Sequence, residues 1–354
     1  QALAVQPTSD EPVQLLKQAD ALKTSNPAEF DATMQRLVSE PAKLSSEQKL
    51  YLRYLQGFRL GYGGEYAAAI QSLNEVARQS TNPVLRFRAG VTVVNLLEIG
   101  TRYEQAFSRL NDLLEQLPQV TDKDARKQVM AIASQLYGEV GQYDLSTTYA
   151  DRMLKEQPTG ANVCRAGMLI LQSLYKRGEM LPTNPRFQMG IEACVAAKEP
   201  IFTNSVRSFV ADFYLQQGRP EAAIDLLQQN HAEVAATHYP RLISAWDSLL
   251  AEAYWKQGDA KRAQQFAEAA LKGSVKNEYT VPLSTACRLL YLIARKQGDM
   301  GAALAYHERY MAADKGYLDG ISAKTLAYQI VKQQVLGKKL QVDTLNKQNQ
   351  ILML

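Results

Sequence analysis

The segment Tyr214-Leu215-Gln216-Gln217-Gly218 decides the fold of this chain, because it returns twice at a fixed spacing. It recurs as Tyr254-Trp255-Lys256-Gln257-Gly258 and then as Ala294-Arg295-Lys296-Gln297-Gly298, so the three glycines are 40 residues apart. An alanine follows each glycine by five residues, at Ala223, Ala263 and Ala303. Earlier glycines in the same setting are Gly64, Gly100, Gly141 and Gly178. A fixed period of this size indicates an array of repeated structural units.

The pattern predicts that each unit is a helical hairpin. Its first helix ends at the glycine, which takes the left-handed conformation past a helix end more easily than any other residue. The second helix begins two or three residues later, and the alanine falls one turn into it, where the two backbones cross. Each hairpin leaves an apolar face that the next hairpin covers, so the pattern predicts a solenoid.

The composition sets limits on the class of protein. Hydrophobic residues make up 46% of 354 residues, which is typical of a folded chain. Lys and Arg number 40 against 36 Asp and Glu, a net charge of +4 that gives no general attraction to nucleic acid or membrane. No run of 18 apolar residues occurs, so the sequence given holds no membrane span.

The repeats resemble tetratricopeptide repeats, which carry small residues at positions 8 and 20 of the repeat and a tyrosine at position 11. Here these are Ala211, Tyr214 and Ala223, and then Ala251, Tyr254 and Ala263, while Gly57 and Ala69 fit an earlier repeat. The period is nearer 40 than the usual 34, the position-4 tryptophan is missing and the prolines are irregular. The resemblance covers roughly residues 46–314 and implies an all-α, right-handed superhelical solenoid, but it does not fix a function.

We therefore predict three regions. An exported N-terminal tail occupies residues 1–11, in which Ala2-Leu3-Ala4 has the form of a signal-peptidase site. The solenoid occupies residues 12–318, with two helices at about 12–24 and 28–39 followed by seven hairpins. A long helix occupies residues 319–354. Helix starts are marked by Asn26-Pro27, Asn82-Pro83 and Asn184-Pro185, with proline in the first turn.

The C-terminal helix carries a thin apolar seam with alternating spacings of three and four. We name it the C-terminal seam; its apolar members are Tyr328, Val331, Val335, Val342, Leu345 and Leu352, and Lys338 and Asn349 interrupt it. One interpretation is a helix that pairs with a second copy of itself, so that the chain is a homodimer. The other is a helix that caps the open end of the solenoid. The apolar ending Ile351-Leu352-Met353-Leu354 also suggests that a membrane helix follows, so membrane attachment would come only from sequence outside this chain.

A search for catalytic chemistry finds no constellation. The sequence has no nucleophile elbow, phosphate-binding loop, zinc-protease motif or dinucleotide fingerprint. Its three histidines, His231, His238 and His307, do not have the spacing of a metal site. We therefore predict a chain that is not an enzyme and that has no catalytic residues, cofactor or metal.

The cysteines suggest a disulfide. Cys164 and Cys194 lie on the two helices of the hairpin around Gly178, at equal distances from its turn, so they face each other across the hairpin. They are either bonded or two buried small residues, and export favours the disulfide. Cys287 has no partner and is expected to be buried in the last hairpin.

The order of these features resembles the extracytoplasmic sensory region of bacterial diguanylate cyclases that contain tetratricopeptide repeats. The export signal comes first, then Cys164…Cys194-Val-Ala-Ala-Lys-Glu-Pro200, the glycine-spaced repeats, Tyr310-Met311-Ala312-Ala313-Asp314 and the Gln-rich helix. The resemblance implies a periplasmic sensor anchored to the inner membrane, with a GGDEF catalytic domain beyond this chain. The alternative is a free-standing exported scaffold for protein–protein interaction in the cell envelope.

First helices line the groove of tetratricopeptide repeats, at positions 2, 5, 9 and 12 of each repeat. The resemblance places in the groove Tyr54, Phe58, Gln135, Arg165, Gln172, Ser208, Asp212, Glu252 and Arg288. Aromatic, amide and oppositely charged side chains together suit a peptide or protein segment, or an unknown small ligand, better than a polyanion such as nucleic acid.

Overall fold

The computed structural model describes residues 11–275 and 278–353. Two helices and seven hairpins follow one another along the chain, as the sequence predicts, and no strand occurs within these residues. The sixteen α-helices are α1 Glu11–Leu22, α2 Pro27–Ser39, α3 Ser46–Tyr62, α4 Tyr66–Gln79, α5 Pro83–Ile99, α6 Tyr103–Gln116, α7 Lys123–Glu139, α8 Tyr143–Glu156, α9 Ala161–Lys176, α10 Pro185–Ala196, α11 Pro200–Gln216, α12 Pro220–Ala236, α13 Pro240–Gln257, α14 Ala260–Gly273, α15 Val281–Lys296 and α16 Met300–Leu352. The predicted all-α solenoid is thereby confirmed.

Left-handed residues close the hairpins. Six of the seven glycines on which the repeat was read have positive φ, from Gly64 at 95° to Gly298 at 77°. The turn of the second hairpin, between α5 and α6, differs, because Gly100 keeps φ at −76° and Thr101 takes the left-handed conformation at 66°. The turn in this hairpin is therefore shifted by one residue relative to the glycine pattern.

Small residues lie where paired helices cross. Ala211, Ala223, Ala251 and Ala263 are all fully buried. In the first hairpin a methyl group added at Gly57 would lie only 2.9 Å from Cγ of Leu73, so this crossing of α3 and α4 has no room for a side chain. These contacts are local in sequence and explain why the resemblance to tetratricopeptide repeats predicted the hairpins correctly.

The solenoid curls until its first hairpin touches its last ones. The hydroxyl of Tyr62, at the end of α3, donates to the carbonyl oxygen of Thr237 at 2.8 Å, and its ring lies 4.8 Å from that of Tyr239. The hydroxyl of Tyr66 donates to Glu278 at 3.3 Å. These contacts join parts of the chain about 175–212 residues apart in the sequence and close the superhelix on itself.

Helix α16 is continuous from Met300 to Leu352, so the boundary predicted at residue 318 falls inside it. Its first part packs on α15 and its middle crosses to α6, where Ala327, Tyr328 and Val331 are buried. The remainder projects away from the body, with Val342 54% and Leu345 50% exposed. The C-terminal seam is thus divided, half against the solenoid and half open.

The predicted disulfide between Cys164 and Cys194 is present, and Cys287 is free and buried. The proposed signal-peptidase motif Ala2-Leu3-Ala4 and the terminal Leu354 lie outside the described residues. No helix of the described part of the chain is long and apolar enough to cross a membrane.

Candidate functional site

The inner face of the first five hairpins surrounds a cavity of about 970 Å³. Helix α1 forms one wall, and α3, α5, α7, α9 and α11, the first helices of successive hairpins, form the rest. Five basic and five acidic side chains line it, so its charge is balanced; they are Lys17, Lys23, Arg88, Lys127 and Arg165 with Asp20, Glu47, Asp122, Asp124 and Glu199.

One position of the structural repeat contributes a side chain to this cavity in each of the first four hairpins. Counting back thirteen residues from the left-handed residue of each of the first four hairpins gives Tyr51, Arg88, Gln128 and Arg165. All four line the cavity. Because the four first helices are packed side by side, these side chains form a ladder along the inner face. We call them the ladder residues.

The first three ladder residues belong to one hydrogen-bond network, in which Tyr51 and Arg88 meet at Asp20 of α1. The Arg88 guanidinium donates to the Asp20 carboxylate in two bonds of 2.6 and 2.9 Å, and the Tyr51 hydroxyl donates to the same carboxylate at 2.5 Å. Nε of Arg88 also donates to the side-chain oxygen of Gln128 at 3.1 Å. Burial alone raises the pKa of Asp20, but the charges of Lys23 and Arg88 outweigh burial and hold it well below its ordinary value.

Arg165, the fourth ladder residue, has no such partner. Its guanidinium lies 5.5 Å from the centre of the Phe202 ring and neither donates a hydrogen bond nor pairs with a carboxylate among the described residues. Burial lowers its pKa, although the charge of Glu199 partly opposes this. The carboxylate of Glu199 accepts only a long bond of 3.4 Å from Thr24, and burial raises its pKa. The cavity therefore presents a cation and an anion that the protein itself leaves largely unsatisfied.

Three of the nine predicted groove residues line this cavity. Phe58 lies under the ammonium of Lys23, 5.5 Å from it, and Arg165 is the open ladder residue. Tyr54 also lines the cavity, but its ring is fully buried below the Arg88 guanidinium, 5.1 Å from it, and its hydroxyl accepts a hydrogen bond from Gln128.

The other six predicted residues lie outside the cavity. Gln135 is bonded to Asn95 and Glu139 at 3.4 and 3.3 Å. Asp212 accepts from Tyr175 at 2.8 Å, and Ser208 donates to the carbonyl oxygen of Ser205 at 2.7 Å. Glu252 and Arg288 pair with each other at 3.3 Å, and Gln172 is half-buried on α9. Most of this set is satisfied by neighbouring side chains.

The sequence analysis missed much of the site for two reasons. Asp20 lies on α1 and Lys23 directly follows that helix, which is not part of a repeat, so a repeat rule cannot select either residue. Arg88 was missed because its hairpin turns at Thr101 rather than Gly100. Counting from the left-handed residue places Arg88 and Arg165 at equivalent positions, and this signal would have identified both.

Comparison with known proteins gives a likeness of fold. No protein-family model matches the sequence. No curated protein matches it either.

Solved structures share its architecture at low sequence identity. A Rap protein solved in complex with competence and sporulation factor is 12% identical, with a TM-score of 0.60 over 95% of this chain and 99% of that one. A chain of the APC/C hetero-tetramer Cut9-Hcn1 is 16% identical, with a TM-score of 0.62 over 92% of this chain and 58% of that one. A signal-transduction ATPase from Pyrococcus horikoshii with a tetratricopeptide repeat sensor is 12% identical, with a TM-score of 0.51 over 89% of this chain and 48% of that one. These similarities show that the chain has the tetratricopeptide-like helical-repeat fold.

Proposed function

We propose that this chain is a binding module that takes a peptide or protein segment into the cavity bounded by α1 and the first five hairpins. The observation that carries the proposal is Arg165, a half-buried guanidinium that lines the cavity and has no hydrogen-bond or carboxylate partner among the described residues. A buried cation is costly unless an anion or hydrogen-bond acceptor pairs with it. A ligand carboxylate or carbonyl group at this point would supply that partner.

The dimensions of the site also favour a chain molecule over a small metabolite. Neighbouring packed helices are roughly 8–10 Å apart, so the four ladder residues extend over roughly 25–30 Å. An extended segment of about eight residues covers that length. The structural relative Rap was solved with a bound factor, which supports a binding role for this architecture.

The test uses random decapeptides with free carboxyl termini, selected by display against the oxidised chain. Selected peptides are then measured against Arg165→Gln and, as a matched control, Arg288→Gln, whose guanidinium is already paired with Glu252. A hydrogen bond to a charged group contributes about 1.5–3 kcal/mol, so we expect binding to Arg165→Gln to be weaker by roughly 10- to 100-fold. Binding to Arg288→Gln should change by less than about twofold. Failure to select any peptide, or equal loss in both variants, would contradict the proposal.

We also propose a setting for this module: the periplasmic sensory region of a membrane-bound protein that controls a diguanylate cyclase domain. The order of sequence features supports this, and the disulfide fits an oxidising compartment. In this setting the long helix α16 leads from the binding module toward the output. The alternative remains a free-standing exported scaffold.

The gene beyond the codon for Leu354 distinguishes the two settings. A membrane span followed by a GGDEF domain supports the sensor, and a stop codon supports the scaffold. An alkaline-phosphatase fusion after Leu354, expressed from the native start of the gene, should be active if the chain is exported. An inactive fusion would contradict both settings and leave the peptide-binding proposal untouched.

A further inference from the structure

One face of α16 follows the body of the solenoid closely. Gly316 faces the Tyr279 ring, and Gly320 lies below the Tyr103 hydroxyl, so two residues without side chains let the helix approach. One turn later Lys324 lies between Glu98 and Glu139, at 2.5 and 2.8 Å. Tyr328 comes next, one turn after Lys324, and meets two rings of the solenoid.

The rings packed on Tyr328 are those of Phe107 and Tyr137, both edge-on, at 5.6 and 5.9 Å. Val331 is 6% exposed, and Val335 packs against the same core. This half of the C-terminal seam therefore has an apolar partner within its own chain, and the Lys324 ion cluster lies at its edge.

The seam does not end where the body ends. Beyond Val335 it continues through Val342, Leu345 and Leu352, which are 54%, 50% and 83% exposed. The spacings of three, four and seven residues are those of a coiled-coil seam, with Lys338 and Asn349 as its polar members. The exposed part holds about two heptads, whereas a stable coiled coil needs at least three or four. Residues 328–352 together give about three and a half.

We propose that the C-terminal seam has two mutually exclusive partners: the body of its own chain, and the same seam of a second copy. In the structure described here Tyr328, Val331 and Val335 are held by the body, so only a short stretch is free and the dimer is weak. When the ion pairs of Lys324 with Glu98 and Glu139 are broken, this stretch of α16 separates from α6 and the whole seam becomes exposed. A parallel dimer then buries residues 328–352 of both copies, with Asn349 of each facing its equivalent and fixing the register.

The experiment measures dimer dissociation constants of the full, oxidised chain by sedimentation equilibrium. Lys324→Ala removes the cation between Glu98 and Glu139, and it should strengthen the dimer at least tenfold. Lys315→Ala is the matched control, because Lys315 is on the same helix and pairs only with the exposed Asp319, so it should behave as the unmodified chain. Adding Val342→Asp and Leu345→Asp to Lys324→Ala should return the protein to a monomer.

Two further readouts separate release from general unfolding. The first readout compares two monomeric variants: Val342→Asp with Leu345→Asp, and the same pair with Lys324→Ala added. Hydrogen exchange of residues 324–335 should be faster in the variant that lacks Lys324, while α3 and α4 stay protected in both. Asn349→Cys in a Cys287→Ser background should cross-link to its copy faster when Lys324→Ala is present. A monomeric Lys324→Ala, a dimer that the Asp changes do not weaken, or cross-linking that ignores Lys324 would each overturn the proposal.

Discussion

The ammonium nitrogen of Lys324 lies 2.8 Å from Oε2 of Glu139, although the two residues are 185 positions apart in the sequence. The same ammonium lies 2.5 Å from Oε1 of Glu98. The two carboxylates belong to the last turns of α5 and α7, where the helix dipole also favours a cation. This cluster ties the last helix to the second and third hairpins and is the basis of the first prediction.

We expect Glu98→Gln to become progressively more stabilising as pH rises. Burial and then the charge of Glu139 raise the pKa of Glu98 to about 8, so the folded protein holds a proton that the unfolded chain releases near pH 4.5. Stability linked to Glu98 is therefore complete below pH 4.5 and is lost as pH rises through about 8. Glutamine mimics the protonated form and should abolish this loss.

The measurement is the melting temperature of both proteins between pH 5 and 8.5. Above pH 5 the opposite contribution of Glu139 does not interfere. Burial raises the pKa of Glu139, but Lys324 and a hydrogen bond from Glu98 outweigh burial and hold it below its ordinary value. The difference between the two melting temperatures should be near zero at pH 5 and grow by several degrees at pH 8.5. A difference that is independent of pH would contradict the assignment of the proton to Glu98.

The effect of breaking an ion pair should depend on burial and not on geometry. Asp20–Arg88 and Asp31–Arg59 are both two-bond pairs, with bonds of 2.6–2.9 Å. The side chains of the first pair are 11% and 9% exposed, and those of the second 42% and 41%. Asp20→Asn should cost about 3–5 kcal/mol and Asp31→Asn at most about 1 kcal/mol. Chemical denaturation followed by circular dichroism tests this, and equal losses would refute it.

Reduction of the disulfide should destabilise α9 and α10. The bridge joins residues 30 positions apart, which corresponds to roughly 3–4 kcal/mol in the chain-entropy description. Peptide mapping without reductant should recover Cys164 linked to Cys194 and Cys287 free. Melting with and without reductant measures the loss, and Cys287→Ser, which removes only the unbonded buried thiol, is the control. Two free thiols in periplasmic material would contradict both the bridge and the export of the chain.

Two Gly→Ala substitutions in helices should have opposite signs. At Gly57 the new methyl group would lie 2.9 Å from Cγ of the fully buried Leu73, so crowding of about 1–3 kcal/mol should exceed the gain in helix propensity. At Gly337 nothing lies within 4 Å of the new methyl group, so Gly337→Ala should stabilise α16 by up to about 1 kcal/mol. Thermal melts of the two variants give the signs directly. A stabilising Gly57→Ala would show that the crossing is not tightly packed.

The hairpins could be predicted because each of them is encoded within about 40 residues. A left-handed glycine ends one helix, a small residue allows the next to cross it, and apolar spacing of three and four gives the buried face. The same local symmetry placed Cys164 opposite Cys194. The one hairpin that turns at Thr101 shows the limit of this reasoning, since a shift of one residue moved the register and hid Arg88.

The sequence alone therefore determined the repeat and the number of hairpins, and it placed Cys164 opposite Cys194 without deciding that the two are bonded. Only the tertiary structure decided that α1 closes the cavity, that no described side chain pairs with Arg165 there, and that α16 crosses to α6 and divides the C-terminal seam. These features depend on the curvature of the solenoid, which is the sum of small rotations between successive hairpins. Because each rotation is set by the packing of whole helices, no local pattern specifies which distant residues the accumulated curvature brings together.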